Sequence, residues 1–244
     1  MKISDEEFKK RLNLNVVELL DNTTTCGWLD IPKMYCPNIN DIDFLALYTE
    51  PGMYEKMPKT AVCFYNYDIK FDNINGLFNA IYYKNEKLLK EFKERFKNCR
   101  IFISPDYSEC GDVHFIENLY RIYKARVVSI WLTMECSAIV IPNITYSNRK
   151  IFEYMLLGLE DVETVAFSIK GNIDDSEEHE MLVDAIKYTV DHLYNLKTII
   201  VYSCCKHDEK VYNIFRYAID KGITITIPMN TLQLRNKVSK NGKI

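Results

Sequence analysis

The sequence predicts an α/β fold in which βα units repeat and the sheet is mainly parallel. The runs "AIVI", "TVAF" and "TIIV" present no charged residue on either face, as strands covered by helices on both sides must do. Segments whose apolar residues recur at helical spacing alternate with these runs. The length of 244 residues also suits one large domain. We expect a (β/α) barrel-like or incomplete barrel, and the alternative is an open doubly wound sheet.

The first 60 residues are predicted to form a helix and an irregular capping segment. Ser4 and Glu7 have the spacing of a capping box. The apolar residues that then share one helical face are Phe8, Leu12, Val16 and Leu19. Residues 22–60 contain four prolines, although "DFLALY" is a further strand candidate. The predicted organisation is a helix and capping segment over 1–60, an α/β domain over 61–230 and a basic tail over 231–244.

From residue 61 onward, strands and helices are predicted to alternate. Six strands are predicted, at "AVCFYNY", "RIFIS", "SAIVIPN", "ETVAFSIKG", "TIIVYS" and "ITITIP". Helices are predicted over 84–97, after a cap at Asp112, after a cap at Ser147, after Asp174, Asp175 and Ser176, and from Asp208 to Ile219. Gly158 and Gly222 stand where a left-handed helix ending favours a residue without Cβ.

The charge pattern is close to neutral, with local exceptions. The formal net charge of −3 gives no global sign of a polyanion-binding protein. Residues 84–100 carry seven cations against three anions, which is compatible with nucleic-acid contact or with a solvated helix face. The basic tail contributes Arg235, Lys237, Lys240 and Lys243.

Cysteine usage and hydropathy predict a cytoplasmic protein. The eight cysteines are scattered without a C-x-x-C pair, which predicts reduced and mostly buried thiols. The sequence contains no signal peptide pattern and no apolar run of the roughly 20 residues that a membrane span needs. We therefore expect a soluble, intracellular protein without membrane contact.

Polar side chains follow the predicted strands at the point where each strand ends. Pro105 cannot donate to a ladder, so its strand stops there and Asp106 comes next. The residues at these strand ends are Asn66, Asp68, Asp106, Ser108, Asn143, Ser168, Lys170 and Ser203. The carboxyl ends of parallel strands share one edge of the sheet, where ligands bind. We therefore expect a binding site at this edge, although each residue alone also fits a turn or a cap.

The candidate catalytic residues are Asp106 and Asp68, with the remaining strand-end residues as ligand contacts. Two carboxylates near hydroxyls, amides and a lysine suit a divalent cation such as Mg²⁺, a sugar or phosphate, or a division of acid and base roles. In this hypothesis Asp106 is a metal ligand or general base and Lys170 contacts phosphate. The identity of any metal or cofactor is left open.

Other chemistries find less support in the sequence. His179 and His192 are thirteen residues apart on one predicted helix and point in different directions, so they cannot share a zinc ion. Cys204, Cys205 and His207 lack the spacing of metal ligands. No G-x-G-x-x-G, P-loop, G-x-S-x-G or H-E-x-x-H motif occurs.

The chain resembles an uncharacterised bacterial and bacteriophage family, domain of unknown function 4417, over roughly Ile31 to Met229. The resemblance is carried by "YNYDIKF", "SPDYS", "LYRIYKARVVSIWL", "IVIPNITY" and "VAFSIKG". It implies a single α/β domain that is often carried by phages and mobile elements. It also implies that Arg121 and Arg126 occupy basic positions of the family, where they would meet phosphate, an acidic strand-end residue or a surface ion-pair partner.

Three functions remain open at this point. The first is a phage or mobile-element protein that binds or processes a nucleotide or nucleic acid at the strand ends. The second is a non-catalytic module that captures a host or phage protein through the tyrosine-rich segment 22–60, since exposed tyrosines contribute strongly to interfaces. The third is a DNA-binding protein of replication or regulation, whose affinity would fall steeply with salt. The oligomeric state is not predicted.

Overall fold

The computed structural model describes residues 4–12, 17–171 and 175–234. Its strands are short and nearly all of them are buried. They are β1 (Thr25–Cys26), β2 (Ile31–Pro32), β3 (Phe44–Leu47), β4 (Thr60–Cys63), β5 (Ile101–Ile103), β6 (Ile139–Ile141), β7 (Thr164–Ser168), β8 (Thr198–Tyr202), β9 (Thr224–Thr226) and β10 (Met229–Asn230).

The central strands form two parallel sheets. One has the order β10-β3-β4-β5-β6 and the other the order β7-β8-β9. Every pair in both sheets is parallel, whereas β1 and β2 form a separate antiparallel pair. From β3 to β9 the neighbours within each sheet follow the order of the chain, so the described strands lack the reversal that marks a doubly wound sheet.

Two connections join the sheets. An isolated parallel bridge links Asn143, after β6, to Ala166 in β7. On the opposite side, residues 224–230 pair first with β8 and then, after Pro228, with β3. The ladders among the described strands do not close a regular barrel. The predicted α/β fold with a mainly parallel sheet is confirmed, in the form of an incomplete barrel.

Helices cover the strands and connect them. They are α1 (Asp5–Arg11), α2 (Leu77–Tyr82), α3 (Glu86–Phe96), α4 (Phe115–Cys136), α5 (Phe152–Met155), α6 (Ser176–His192), α7 (Asp208–Ile214) and α8 (Arg216–Asp220). The longest, α4, buries most of its C-terminal half against the core. The strands β3, β4 and β8 are buried at every position, which confirms that they are covered on both faces.

Several helix boundaries differ from the prediction. The helix α1 ends at Arg11, so Leu19 lies in a separate 3₁₀ turn, although Ser4 Oγ accepts from the Glu7 N–H as predicted. The helix α4 follows His114, so Asp112 is not its cap. Asn148, and not Ser147, accepts a hydrogen bond at the next helical start. Val16, Asp174 and residues 235–244 of the basic tail lie outside the described residues.

Other local features agree in part with the predictions. "DFLALY" does supply a strand, β3, which lies inside the larger sheet. The predicted helix over 208–219 is divided in two at Phe215. Gly158 and Gly222 have φ values of +77° and +83°, which confirms their predicted role. All eight cysteines are free thiols, but only Cys36, Cys63 and Cys99 are buried, which is fewer than predicted. None of the helices in the described residues is both long and apolar enough to span a membrane.

Candidate functional site

Three side chains from successive strand ends form a continuous hydrogen-bonded chain. Tyr65 follows β4, Asp106 follows β5 and Asn143 follows β6. The hydroxyl of Tyr65 donates to Asn143 Oδ1 at 2.8 Å, and Asn143 Nδ2 donates to Asp106 Oδ1 at 2.7 Å. Because the Asn143 amide accepts on one side and donates on the other, these contacts fix its orientation.

The backbone around Asn143 explains why this side chain is held so firmly. Its N–H donates to Ser104 Oγ at 2.8 Å, which ties the end of β6 to the end of β5. The Ala166 N–H donates to the Pro142 carbonyl, and the Ile144 N–H donates to the Ala166 carbonyl. Asn143 therefore lies at the junction of the two sheets, where both of them position it.

The carboxyl group of Asp106 is half-buried at this junction. Burial raises the pKa of Asp106 to about 6, and the negative charge of Asp68 acts in the same direction. The hydrogen bond from Asn143 and the positive charge of Lys170 oppose this rise. Asp106 thus exchanges its proton close to neutral pH, as a general acid or base requires.

Asp68 is occupied by contacts within the protein. Its carboxylate accepts from the Ser108 hydroxyl at 2.8 Å and from the Ser108 N–H at 3.2 Å. Arg121 Nη1, on α4, donates to Asp68 Oδ2 at 2.7 Å. Asp68 therefore fastens the loop that carries Asp106 and pairs with α4. This ion pair is one of the alternatives that the family resemblance implied for Arg121.

A second carboxyl group with an altered pKa lies in the same loop. The Thr145 hydroxyl donates to Glu109 Oε1 at 2.7 Å. Burial raises the pKa of Glu109 to about 7, and the nearby charge of Asp106 contributes to the rise. The buried Glu109 Oε2 has no hydrogen-bond partner among the described residues. The loop after β5 thus holds two carboxyl groups that both titrate near neutrality.

Lys170 connects this region to the end of β8. Its side chain is exposed. Burial raises the pKa of both Asp106 and Cys204, and the positive charge of Lys170 opposes both rises. Cys204 lines a cavity of about 560 Å³ at the place where residues 224–230 pass from β8 to β3. The polar lining residues of this cavity include Asp43, Cys204, Cys205, Lys206, Asp208 and Gln233. Its volume is typical of small-molecule sites.

The family model of the domain of unknown function DUF4417 matches residues 24–218. The chain belongs to the DUF4417 family. The matched range includes Asp106, Glu109 and Asn143, so the strand-end site of this DUF4417 protein lies inside the family domain. The comparison with curated proteins found no match.

The remaining strand-end residues of this DUF4417 protein make local contacts. Asn66 accepts from Thr49 Oγ1 at 3.3 Å, near the end of β3. Ser168 Oγ accepts from the Lys170 N–H, and the fully buried Ser203 Oγ accepts from the Cys205 N–H. These side chains do not bond to Asp106, Asn143 or Asp68.

Arg126 lies in the interior and not at the strand-end surface. Its side chain is 2% exposed, and Nη2 donates to the carbonyl groups of Met155 and Leu157. Burial lowers the pKa of Arg126 to about 10, against the raising effect of nearby negative charges such as Glu160. Arg126 therefore holds the turn after α5 in this DUF4417 protein.

The described part of the chain offers no group of three or more His, Cys, Asp or Glu residues positioned to hold a metal ion. The pair proposed as metal ligands is Asp68 and Asp106, and Asp68 already binds a cation, Arg121.

Sequence patterns alone did not identify Tyr65 and Glu109. Tyr65 belongs to an apolar run, where a tyrosine usually contributes to the core, and its hydroxyl contact depends on a residue 78 positions away. Glu109 follows Asp106 in "PDYSEC" and resembles an ordinary loop acid. The nearness of Glu109 to Asp106 in the same loop was the one feature of the sequence that could have indicated a role in the site. The burial of Glu109, however, depends on Thr145 and the loop after β6.

Proposed function

We propose that this protein binds a nucleotide or a nucleic-acid end at the strand-end site and transfers a proton through Asp106. The observation that supports this proposal is the environment of Asp106. Asn143 Nδ2 donates a hydrogen bond to its carboxyl group, and the charges of Asp68 and Lys170 both act on that group. A half-buried carboxyl group with a pKa of about 6 is suited to acid–base chemistry at neutral pH.

The substrate class follows from the groups that surround Asp106. Lys170 is exposed and provides a positive charge for a phosphate group. The cavity that Cys204 lines provides space for a base or sugar. The positive charge of Lys170 also acts on Cys204, so the lysine lies close to this cavity. Two further predictions are part of this proposal. They are the phage or mobile-element setting that the family resemblance implies and the cytoplasmic location that cysteine usage and hydropathy predict.

Within this site the residues have distinct roles. Asp106 exchanges the proton, and Asn143 orients its carboxyl group. Asp68 holds the loop through Ser108 and sustains the raised pKa of Asp106 by its charge, so it is a positioning residue. Lys170 contacts the phosphate.

A thermal-shift experiment with nucleoside mono-, di- and triphosphates and cyclic dinucleotides tests this proposal. A ligand that binds the native state raises its melting temperature. We expect a shift for the wild type, and a loss of most of it in Asp106→Asn and Lys170→Gln. Lys221→Gln, a change at an exposed lysine after α8, is the matched control and should retain the shift. An absence of shift with every nucleotide, or an unchanged shift in Asp106→Asn, would contradict the proposal.

A specific observation also supports protein capture as a second candidate function. Trp28 and Tyr35, both within the tyrosine-rich segment 22–60, are 83% and 72% exposed. Large exposed aromatic side chains are typical of interface centres. Under this alternative, the double variant Trp28→Ala and Tyr35→Ala would lose a co-purifying protein while nucleotide-induced shifts stay unchanged. Equal recovery of that protein with the variant would count against capture through this segment.

A further inference from the structure

Five aromatic rings, from α2, from Tyr83 directly after it and from α4, form a continuous series of ring contacts. Their centroids are separated by 5.2 Å for Tyr83 and Tyr82, 5.5 Å for Tyr82 and Phe78, 5.9 Å for Phe78 and Tyr120, and 6.1 Å for Tyr120 and Tyr123. We call this set the tyrosine surface. Tyr83 and Tyr120 are 68% and 43% exposed, whereas Phe78 is buried, so two rings of the set face solvent.

The tyrosine surface approaches the strand-end site through the segment after β4. Tyr67, in this segment, is 84% exposed. Its neighbour Asp68 pairs with Arg121, the neighbour of Tyr120. Asp72 pairs with Lys124 one turn further along α4. Because Asp68 also accepts from Ser108, it joins the part of α4 that carries Tyr120 to the loop that carries Asp106.

The charges around the tyrosine surface favour an anionic ligand. The carboxylates of Asp68 and Asp72 are paired with Arg121 and Lys124, so neither pair adds a net charge and the lysines beside the surface determine its sign. Lys124 Nζ also lies 5.0 Å from the ring centroid of Phe78 and 5.9 Å from that of Tyr120. The exposed lysines nearby in the chain are Lys70, Lys87 and Lys90, and the last two lie on α3, which packs against α2. The helix α3 also carries the exposed Glu86, Glu91 and Glu94, but the stretch 84–100 has seven basic against three acidic residues and is therefore net positive.

We propose that the tyrosine surface binds single-stranded nucleic acid, with bases stacked on Tyr83, Tyr120 and Tyr67 and phosphates near the lysines of α3. Exposed rings beside basic residues are the usual means of binding unpaired strands. A duplex keeps its bases stacked inside, so its bases are not free to stack on these rings. The surface leads toward Asp106, and in this respect the inference rests on the proposed function and narrows its substrate to a single strand.

Fluorescence anisotropy with a labelled oligothymidine and with a duplex of equal length tests the inference. We expect the wild type to bind the single strand more tightly than the duplex. The double variant Tyr83→Ala and Tyr120→Ala should weaken single-strand binding by about ten-fold or more, the cost of losing one stacked base or more. The corresponding double change to Phe keeps both rings and should retain binding. Circular dichroism confirms that each variant is folded.

Tyr194 provides the control for the loss of an exposed tyrosine outside the tyrosine surface. Tyr194 is 91% exposed and lies between α6 and β8, at the end of the strands opposite to Asp106, so Tyr194→Ala should bind as the wild type does. Equal affinity for duplex and single strand, or equal loss in the Phe and Ala double variants, would overturn stacking on this surface. Asp106→Asn should keep oligonucleotide binding while it loses the nucleotide-induced thermal shift. Failure of the tyrosine surface and failure of the strand-end site are therefore observed in different measurements.

Discussion

The carboxylate of Asp68 accepts hydrogen bonds from both the backbone N–H and the hydroxyl of Ser108, 40 residues further along the chain. This contact joins the segment after β4 to the loop after β5. That loop carries both Asp106 and Glu109, so their positions depend on a residue from a neighbouring strand end. The same carboxylate also pairs with Arg121 on α4.

A double-mutant cycle should detect the coupling between Asp68 and Ser108. We expect Asp68→Asn and Ser108→Ala to show a coupling of about 1–2 kcal/mol in the free energy of unfolding, since the hydrogen bonds involve a charged acceptor. The two variants should differ in their effect on Asp106. Loss of the Asp68 charge should lower the pKa of Asp106, whereas Ser108→Ala keeps that charge. Carboxyl carbon chemical shifts measured against pH would show this, and an unchanged pKa in Asp68→Asn would refute it.

The stability of the protein should depend on pH through Asp106. The folded-state pKa of about 6 lies above the ordinary value of 3.8, so the folded state binds the proton more tightly than the unfolded state does. Stability from this group is therefore complete below about pH 4 and is lost as the pH rises through about 6. The difference between the two pKa values corresponds to about 3 kcal/mol.

Denaturant unfolding at several pH values checks this expectation. Between about pH 4 and pH 8, Asp106→Asn should gain up to about 3 kcal/mol relative to the wild type, because the amide does not ionise in this range. Asp220→Asn, at an exposed position at the end of α8, is the control and should show no such gain. A constant difference between Asp106→Asn and wild type across this range would show that Asp106 titrates normally.

Position 158 requires a glycine for two reasons, its left-handed backbone conformation and the close approach of Pro32. Its φ is +77°, and a Cβ added there would lie 2.8 Å from the carbonyl oxygen of Pro32. The left-handed conformation alone costs a residue with Cβ about 1–2 kcal/mol. We therefore expect Gly158→Ala to destabilise the protein by about 2 kcal/mol or more, whereas Gly52→Ala, with no atom within 4 Å of the added Cβ, should cost little. Thermal unfolding of the two variants would compare them, and equal stability would contradict the close approach to Pro32.

We expect a substitution of Arg126 to lower the stability of the protein and to leave nucleotide binding unchanged. Arg126→Met retains apolar packing but removes the donors to the carbonyl groups of Met155 and Leu157, at a cost of about 1–3 kcal/mol. Nucleotide-induced shifts should remain, since this side chain is buried away from solvent. Arg216→Met, at an exposed position on α8, is the control for loss of an arginine charge. A folded Arg126→Met variant that no longer responds to nucleotides would instead support the phosphate contact that the family resemblance implied.

The strands of the sheet could be predicted from the sequence, whereas the side-chain hydrogen bonds at its edge could not. Strands such as β7 and β8 were predictable because burial on both faces leaves an uncharged run in the chain. The partners of Asn143 were not, since Tyr65 and Asp106 reach it from other strands and nothing local specifies which polar groups meet. Helix starts were also uncertain, because Asp112 and Ser147 have the right residue type but the chain begins its helical turns elsewhere.

The change of partner along residues 224–230 has a consequence for synthesis of the chain. These residues supply β9 to the free side of β8 and β10 to the free side of β3. A ribosome makes them after every other strand described, so the nascent polypeptide carries two unpaired sheet edges until residues 224–230 have emerged. Such edges invite pairing with other chains. Premature termination ahead of Thr224 would therefore produce an aggregation-prone fragment in place of a smaller stable protein.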